Sequence, residues 1–351
     1  MIRFLLALLT IGCMVVQPVV AQAPDFRLQV VPGNVYKVDD PGGAGTSSFV
    51  FDLVVICSAD CQLRPVSAHA ELSSAGRLVE RQDWATDMLA KIKQTRFRVD
   101  ANTPLQSPTR SVSLPEAFDV RFYFRHPQAL AIDSIAVAMT VADEKGRQRE
   151  AVVGIPVRYY QQKTELIFPL RGRGIITTDY ITNGGHRDFF TAFGLDIAGL
   201  NEKWGQLDTV PRFESHAGWG REVIAPASGT VVYARNDVPT APYGHAPDST
   251  YYKPLHDPVG AYVGNCVVID HGNSEYSAMM HMQPGSITVK VGDRVTAGQV
   301  IGKLGSSGDA SGPHLHYQLQ SGPRPDQDPT LPVMFKNING VLYQGRYWFA
   351  R

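Results

Sequence analysis

Cysteine is scarce in this chain: four of the 351 residues, Cys13, Cys57, Cys61 and Cys266. That excludes a fold stapled by a dense disulfide framework, so buried apolar surface must hold the chain together. Excess charge of either sign is missing too, with 33 Lys and Arg against 33 Asp and Glu. Without a net field, bulk electrostatics recommends no polyanionic partner, and nucleic acid is set aside. Beyond Val20 no apolar run is long enough to span a bilayer. The C-terminal half shows no sustained helical period. Length itself is ample, since 351 residues exceed what one core usually organises and favour two domains.

The first apolar run is of another kind. Met1-Ile2-Arg3 places a positive charge ahead of the apolar stretch Phe4 to Val20, which closes on the small residue Ala21. This is the layout of a cleaved secretory signal over residues 1–21 and predicts a secreted or periplasmic protein. A retained membrane anchor is the rival reading; a lipoprotein signal at Gly12-Cys13 is weaker, because Thr10 stands where a large aliphatic residue is expected. In an oxidising compartment the close pair Cys57-Ser-Ala-Asp-Cys61 reads as a small-loop disulfide. Half a zinc site would need a second Cys/His pair nearby, and none is there. Cys266, in the apolar run through Ile269, reads as a buried inert thiol.

Residues 24–160 alternate short strand-like runs, at 49–56, 119–124 and 135–139, with turn-rich stretches such as Asp40-Pro41-Gly42-Gly43. That rhythm predicts an immunoglobulin-like β-sandwich serving as an accessory domain. One interruption, Trp84 to Gln94, carries Trp84, Met88, Leu89 and Ile92 at the spacing of an amphipathic helix. From Gly172 onward, β-branched runs alternate with glycine turns, which predicts a mainly antiparallel sheet domain over 168–351. The stretch Asp237 to Tyr262, rich in proline and tyrosine, is too long for a hairpin turn and reads as a functional or covering loop.

The chemistry concentrates in Gly312-Pro313-His314-Leu315-His316-Tyr317-Gln318. In a strand, His314 and His316 project from one face while Leu315, Tyr317 and Leu319 face the other. The strand follows Gly292-Asp293-Arg294-Val295-Thr296-Ala297-Gly298-Gln299-Val300-Ile301-Gly302 and Gly305-Ser306-Ser307-Gly308, and further upstream lies Val267-Val268-Ile269-Asp270-His271-Gly272. In this order the motifs resemble the M23 zinc metallopeptidases of the LytM/lysostaphin type, over roughly residues 168–340. Lipoyl and biotinyl carriers and some sugar-phosphotransferase subunits share the Gly-Asp-x-Val-x-x-Gly-Gln hairpin. The leader and the His-x-His strand argue against both.

The resemblance implies a zinc ion held by a histidine, an aspartate and the second histidine of the pair, with an open position for water. His316 maps onto the last ligand, and Asp196 in Gly194-Leu195-Asp196-Ile197 onto the carboxylate. The usual His-x-x-x-Asp spacing points to position 192, which is Ala192, so the first ligand is assigned to His186, with His216 and Asp188 as rivals. His281 and His314 map onto the two non-ligand catalytic histidines, while His271 is assigned to structure and His245 and His256 to the long loop. The implied activity is an exported zinc metalloendopeptidase hydrolysing the peptide cross-links of bacterial peptidoglycan. A non-catalytic regulator of another wall hydrolase is the alternative, and other cell-envelope proteins are a further partner class through the N-terminal domain.

Overall fold

A computed structural model of the chain describes residues 20–23, 26–31, 33–39, 45–57, 63–98, 116–179, 186, 190–205, 212–244, 247–252, 254–255, 262–340 and 342–351. The fold is mainly β, with antiparallel sheets in both halves as expected. In the N-terminal half strand Thr46–Cys57 is the hub, pairing antiparallel with Phe26–Val31 and with Glu116–Pro127. Its Phe49, Phe51 and Leu53 alternate into a core shared with Phe122 and Phe124. That same core takes Ala70, Leu72, Ile135, Val137 and Ile155 from strands Arg64–Ser74, Ser134–Ala142 and Gln148–Tyr159. Two groups of strands thus close over one interior. A parallel pairing, Gln148–Tyr159 with Val35–Asp39, links them into one continuous path of hydrogen-bonded strands.

The expected helix over Trp84 to Gln94 is shorter, spanning Thr86–Ile92, with Leu89 sealed in the core and Met88 47% exposed. Lys93 and Gln94 already belong to strand Lys93–Arg98, paired with Glu116–Pro127. Ladder bonds to a waiting strand override a helical period only about two turns long. The leader up to Val19 and the Cys57–Cys61 side chains lie outside what is described, and the cut expected after Ala21 falls in strand Val20–Ala23. No helix among the described residues is long and apolar enough to cross a membrane.

In the C-terminal half nine strands form an antiparallel sheet whose middle runs Asn265–Asp270, Tyr276–Met282, Leu315–Gln320, Leu195–Gly199 and Gly172–Thr178 in spatial order. Val267, Ile269, Leu315, Tyr317 and Leu319 fill the core on one face. Cys266, Val268, Ala278 and Met280 form a second cluster on the other. Burial on both faces explains why 266–269 reads as a continuous apolar run. Cys266 is wholly buried as expected, and burial pushes its thiol up.

Candidate metal centre

Three adjacent strands converge on one point. Asp196 stands directly opposite His316 in the ladder between Leu195–Gly199 and Leu315–Gln320, and Met280 opposite His316 in the next ladder. Strict alternation would send His281, one residue past Met280, to the other face. The register corrects this. Asn265 pairs with Met282 and Val267 with Met279, so Met280 and His281 together face the single residue Cys266, and His281 takes a left-handed φ of 60°. A bulge of this kind re-aims a side chain. It brings the His281 ring to 4.8 Å from that of His314 and 5.9 Å from that of His316.

His186 reaches the same point from ahead of residue 190 in the chain. Its Nε2 lies 3.3 Å from Asp196 Oδ1, and His316 Nδ1 lies 3.1 Å from the same oxygen. One donor atom from each of His186, Asp196 and His316 falls within 4.8 Å of the others. Ligand bonds of about 2.0–2.2 Å at tetrahedral angles place donor atoms about 3.3 Å apart, so two imidazoles and a carboxylate here fit a small tetrahedral cation such as zinc. The tautomers fit as well. His186 Nδ1 donates to the Gly194 carbonyl at 3.2 Å, which leaves Nε2 to ligate. His316 Nε2 donates to Gln318 Oε1 at 2.9 Å, which leaves Nδ1. Burial disfavours the Asp196 carboxylate, yet the neighbouring His186 and His314 outweigh it and hold the group well below the usual range. Burial, aided by His186, lowers His316, which favours the neutral ring that a metal needs.

His314 and His281 flank this trio. His314 Nδ1 donates to the Gly312 carbonyl at 2.9 Å, and its Nε2 lies 3.5 Å from Asp196 Oδ1. His281 Nδ1 donates to the Ser307 carbonyl at 2.8 Å. Burial above all depresses His281 well below an ordinary histidine.

Residues 213–329 match the family model for peptidase family M23. This part of the chain belongs to peptidase family M23. The matched stretch contains His281, His314 and His316, while His186 and Asp196 precede it. Among curated relatives, the peptidoglycan DD-endopeptidase ShyA of Vibrio cholerae is 48% identical over 58 residues, 16% of this chain and 13% of that protein. ShyC of the same organism, also a peptidoglycan DD-endopeptidase, is 36% identical over 100 residues, 28% of this chain and 19% of that protein. The glycyl-glycine endopeptidase ALE-1 of Staphylococcus capitis is 55% identical over 60 residues, 17% of each chain. The alignment thus spans less than a fifth of the length of each of these relatives.

The five residues assigned from the sequence to metal binding and catalysis, His186, Asp196, His281, His314 and His316, meet around one point. The rival His216 does not: its Nε2 bonds Tyr243 Oη at 2.9 Å within an aromatic group of Phe213, Trp219 and Tyr243. Asp188, His245 and His256 lie outside the described residues. His271 bonds the Ser228 carbonyl and Ser277 Oγ, a structural place as expected. Four supporting residues escaped the sequence reading. Gln318 and Gln320, wholly buried on the His316 face, continue its hydrogen bond as a ladder in which Gln318 Nε2 donates to Gln320 Oε1 at 2.7 Å. Asn265 and Ser307 buttress His281: Ser307 Oγ accepts from the Asn265 amide and donates to the Met282 carbonyl. The long loop does cover this turn, with Ala241 N donating to the Ser306 carbonyl and Gly308 N to Tyr251 Oη.

Proposed function

We propose that the protein is an exported zinc metalloendopeptidase that hydrolyses peptide cross-links of bacterial peptidoglycan, with His186, Asp196 and His316 as zinc ligands and His281 and His314 as catalytic groups. The observation that carries this reading is the meeting of two ligand-ready imidazoles and one carboxylate with two further histidines beside them. The DD-endopeptidase and glycyl-glycine endopeptidase relatives support the choice of substrate class.

Bound zinc supplies a Lewis acid that polarises the scissile carbonyl and makes water nucleophilic near neutral pH. The protein's own residues do the rest. His186, Asp196 and His316 would hold the ion through three protein donors, the number a catalytic zinc takes. His281, with its Nδ1 proton on Ser307, presents Nε2 as an acceptor. His314, with Nδ1 on Gly312, presents its Nε2 beside the same carboxylate oxygen. One ring takes the proton of the attacking water, and the other returns one to the leaving nitrogen.

The test is digestion of purified wall material by wild type, His281→Ala and His314→Ala. Both variants should stay folded and zinc-loaded while releasing peptide fragments about a hundredfold more slowly, the cost of one such group. Wild-type protein that binds zinc and never cleaves, while stimulating a separate wall hydrolase, would overturn the enzyme in favour of the regulator.

A further inference from the structure

The N-terminal sheet touches the candidate centre, and the contact is buried. On strand Thr46–Cys57 the residues Phe49, Phe51 and Leu53 face their own core, so Val50 and Asp52 point away from it. Even so, Val50 is 4% and Asp52 2% exposed. What covers Val50 is the segment leading into Asp196: it clusters with Ala192 and Phe193, and the Tyr36 ring meets Phe193 edge-on at 5.6 Å. Directly across the ladder from Asp52 stands Arg121. Its Nε and Nη2 donate to the two carboxylate oxygens of Asp52 at 3.0 and 2.8 Å, a buried two-pronged pair. Arg121 Nη2 also donates to the main-chain oxygen of His186 at 3.3 Å.

We propose that this fork is a positioning element of the metal centre: Arg121, held by Asp52, fixes the backbone of His186, so the N-terminal sheet completes the site. The inference rests on the assignment of His186 as a ligand. Ten positions separate His186 from Asp196, and a ligand on so long a connection has freedom that one on the adjoining turn lacks. Position 192, where the shorter spacing would put it, holds Ala192 packed on Val50. Beyond the local bond from His186 Nδ1 to the Gly194 carbonyl, a second hold on His186 comes from the other sheet. A guanidinium suits the task, because its planar fork grips a carboxylate with two bonds and has a donor left for a carbonyl. Lysine has the charge without that geometry.

Three full-length variants test this by zinc affinity against a competing chelator, by the visible spectrum of the cobalt(II)-substituted protein, and by melting of the metal-free protein. Arg121→Lys keeps a charge beside Asp52 and loses the fork. The double change Asp52→Leu with Arg121→Met replaces a buried ion pair by apolar side chains, a swap that folded proteins tolerate. His186→Ala is the reference. Both Arg121 variants should keep a metal-free melting temperature near that of wild type, bind zinc 10–100-fold more weakly, and show an altered cobalt spectrum. Wild-type zinc affinity and cobalt spectrum in both, with metal lost in His186→Ala, would overturn the role of Arg121 and leave the metal assignment standing. Zinc retained in His186→Ala would overturn both.

Discussion

Gly194→Ala is the smallest change that should dismantle the centre. A Cβ at this position would stand 2.6 Å from His316 Cε1, 2.7 Å from His316 Nε2 and 2.9 Å from the Thr191 carbonyl oxygen. Ordinary carbon contacts lie at about 3.5–4.0 Å, so the overlap is about 1 Å. The imidazole has nowhere to retreat. Its side chain is 4% exposed, its Nδ1 abuts Asp196 Oδ1 at 3.1 Å, and its Nε2 is tied to a glutamine ladder that is itself buried. Moving the backbone instead would break the turn in which Gly194 N donates to the Thr191 carbonyl, and with it the carbonyl that orients His186. Overpacking of this size costs about 1–3 kcal/mol of stability. For the metal the effect is larger in kind, since ligand distances are tolerated only within about 0.2 Å. We expect zinc affinity to fall at least about 100-fold, or ~2.7 kcal/mol. Urea unfolding of chelator-treated protein reads the first number, and a competition titration reads the second. An alanine variant with the stability and zinc affinity of wild type would refute the close approach and the rigidity argued for His316.

Two further expectations concern metal and pH. His186→Ala, Asp196→Ala and His316→Ala should each carry well below one zinc per chain by metal analysis, whereas His216→Phe, which loses only the bond to Tyr243, should retain it. Full zinc in His186→Ala would disprove that ligand. Metal-free protein should lose stability as pH falls below about 6.5, because burial holds His271, His281 and His316 neutral in the fold while the unfolded chain takes up their protons. Asp196 acts in the same direction at lower pH: its depressed pKa stabilises the fold above the usual 3.8, and that stability goes as pH drops through the folded value. Thermal melts of chelator-treated protein between pH 8 and pH 5 check the sign, and a melting temperature that rises toward pH 5 would contradict it.

What could be read in advance divides along a physical line. Leu315, Tyr317 and Leu319 are wholly buried on one face with His316 on the other, and a period of two states this directly. The same period, carried two steps beyond His316, points to Gln318 and Gln320. Their burial was therefore legible, although polar side chains in alternation are ordinarily taken for a solvated face. His281 lies at the limit of such reasoning. Its aim depends on a register shift opposite Cys266 and a left-handed backbone, and pairing between separate strands leaves no trace in the spacing of either.

His186, proposed as the first ligand, lies beyond that limit, and its position shows why. Spacing rules describe ligands whose geometry is set by their own turn, and such a rule points to Ala192, which is packed instead against Val50 of the N-terminal sheet. A ligand held by a distant element leaves its mark on that element. Here the mark is Asp52, one carboxylate in the apolar run from Phe49 to Ile56, facing Arg121 across the ladder. A buried charge is retained only with a partner and hydrogen bonds to satisfy it. An isolated acid in a strand otherwise fit for a core is therefore a sequence sign of a buried pair, here with Arg121 on the neighbouring strand, whose Nη2 also donates to the His186 carbonyl.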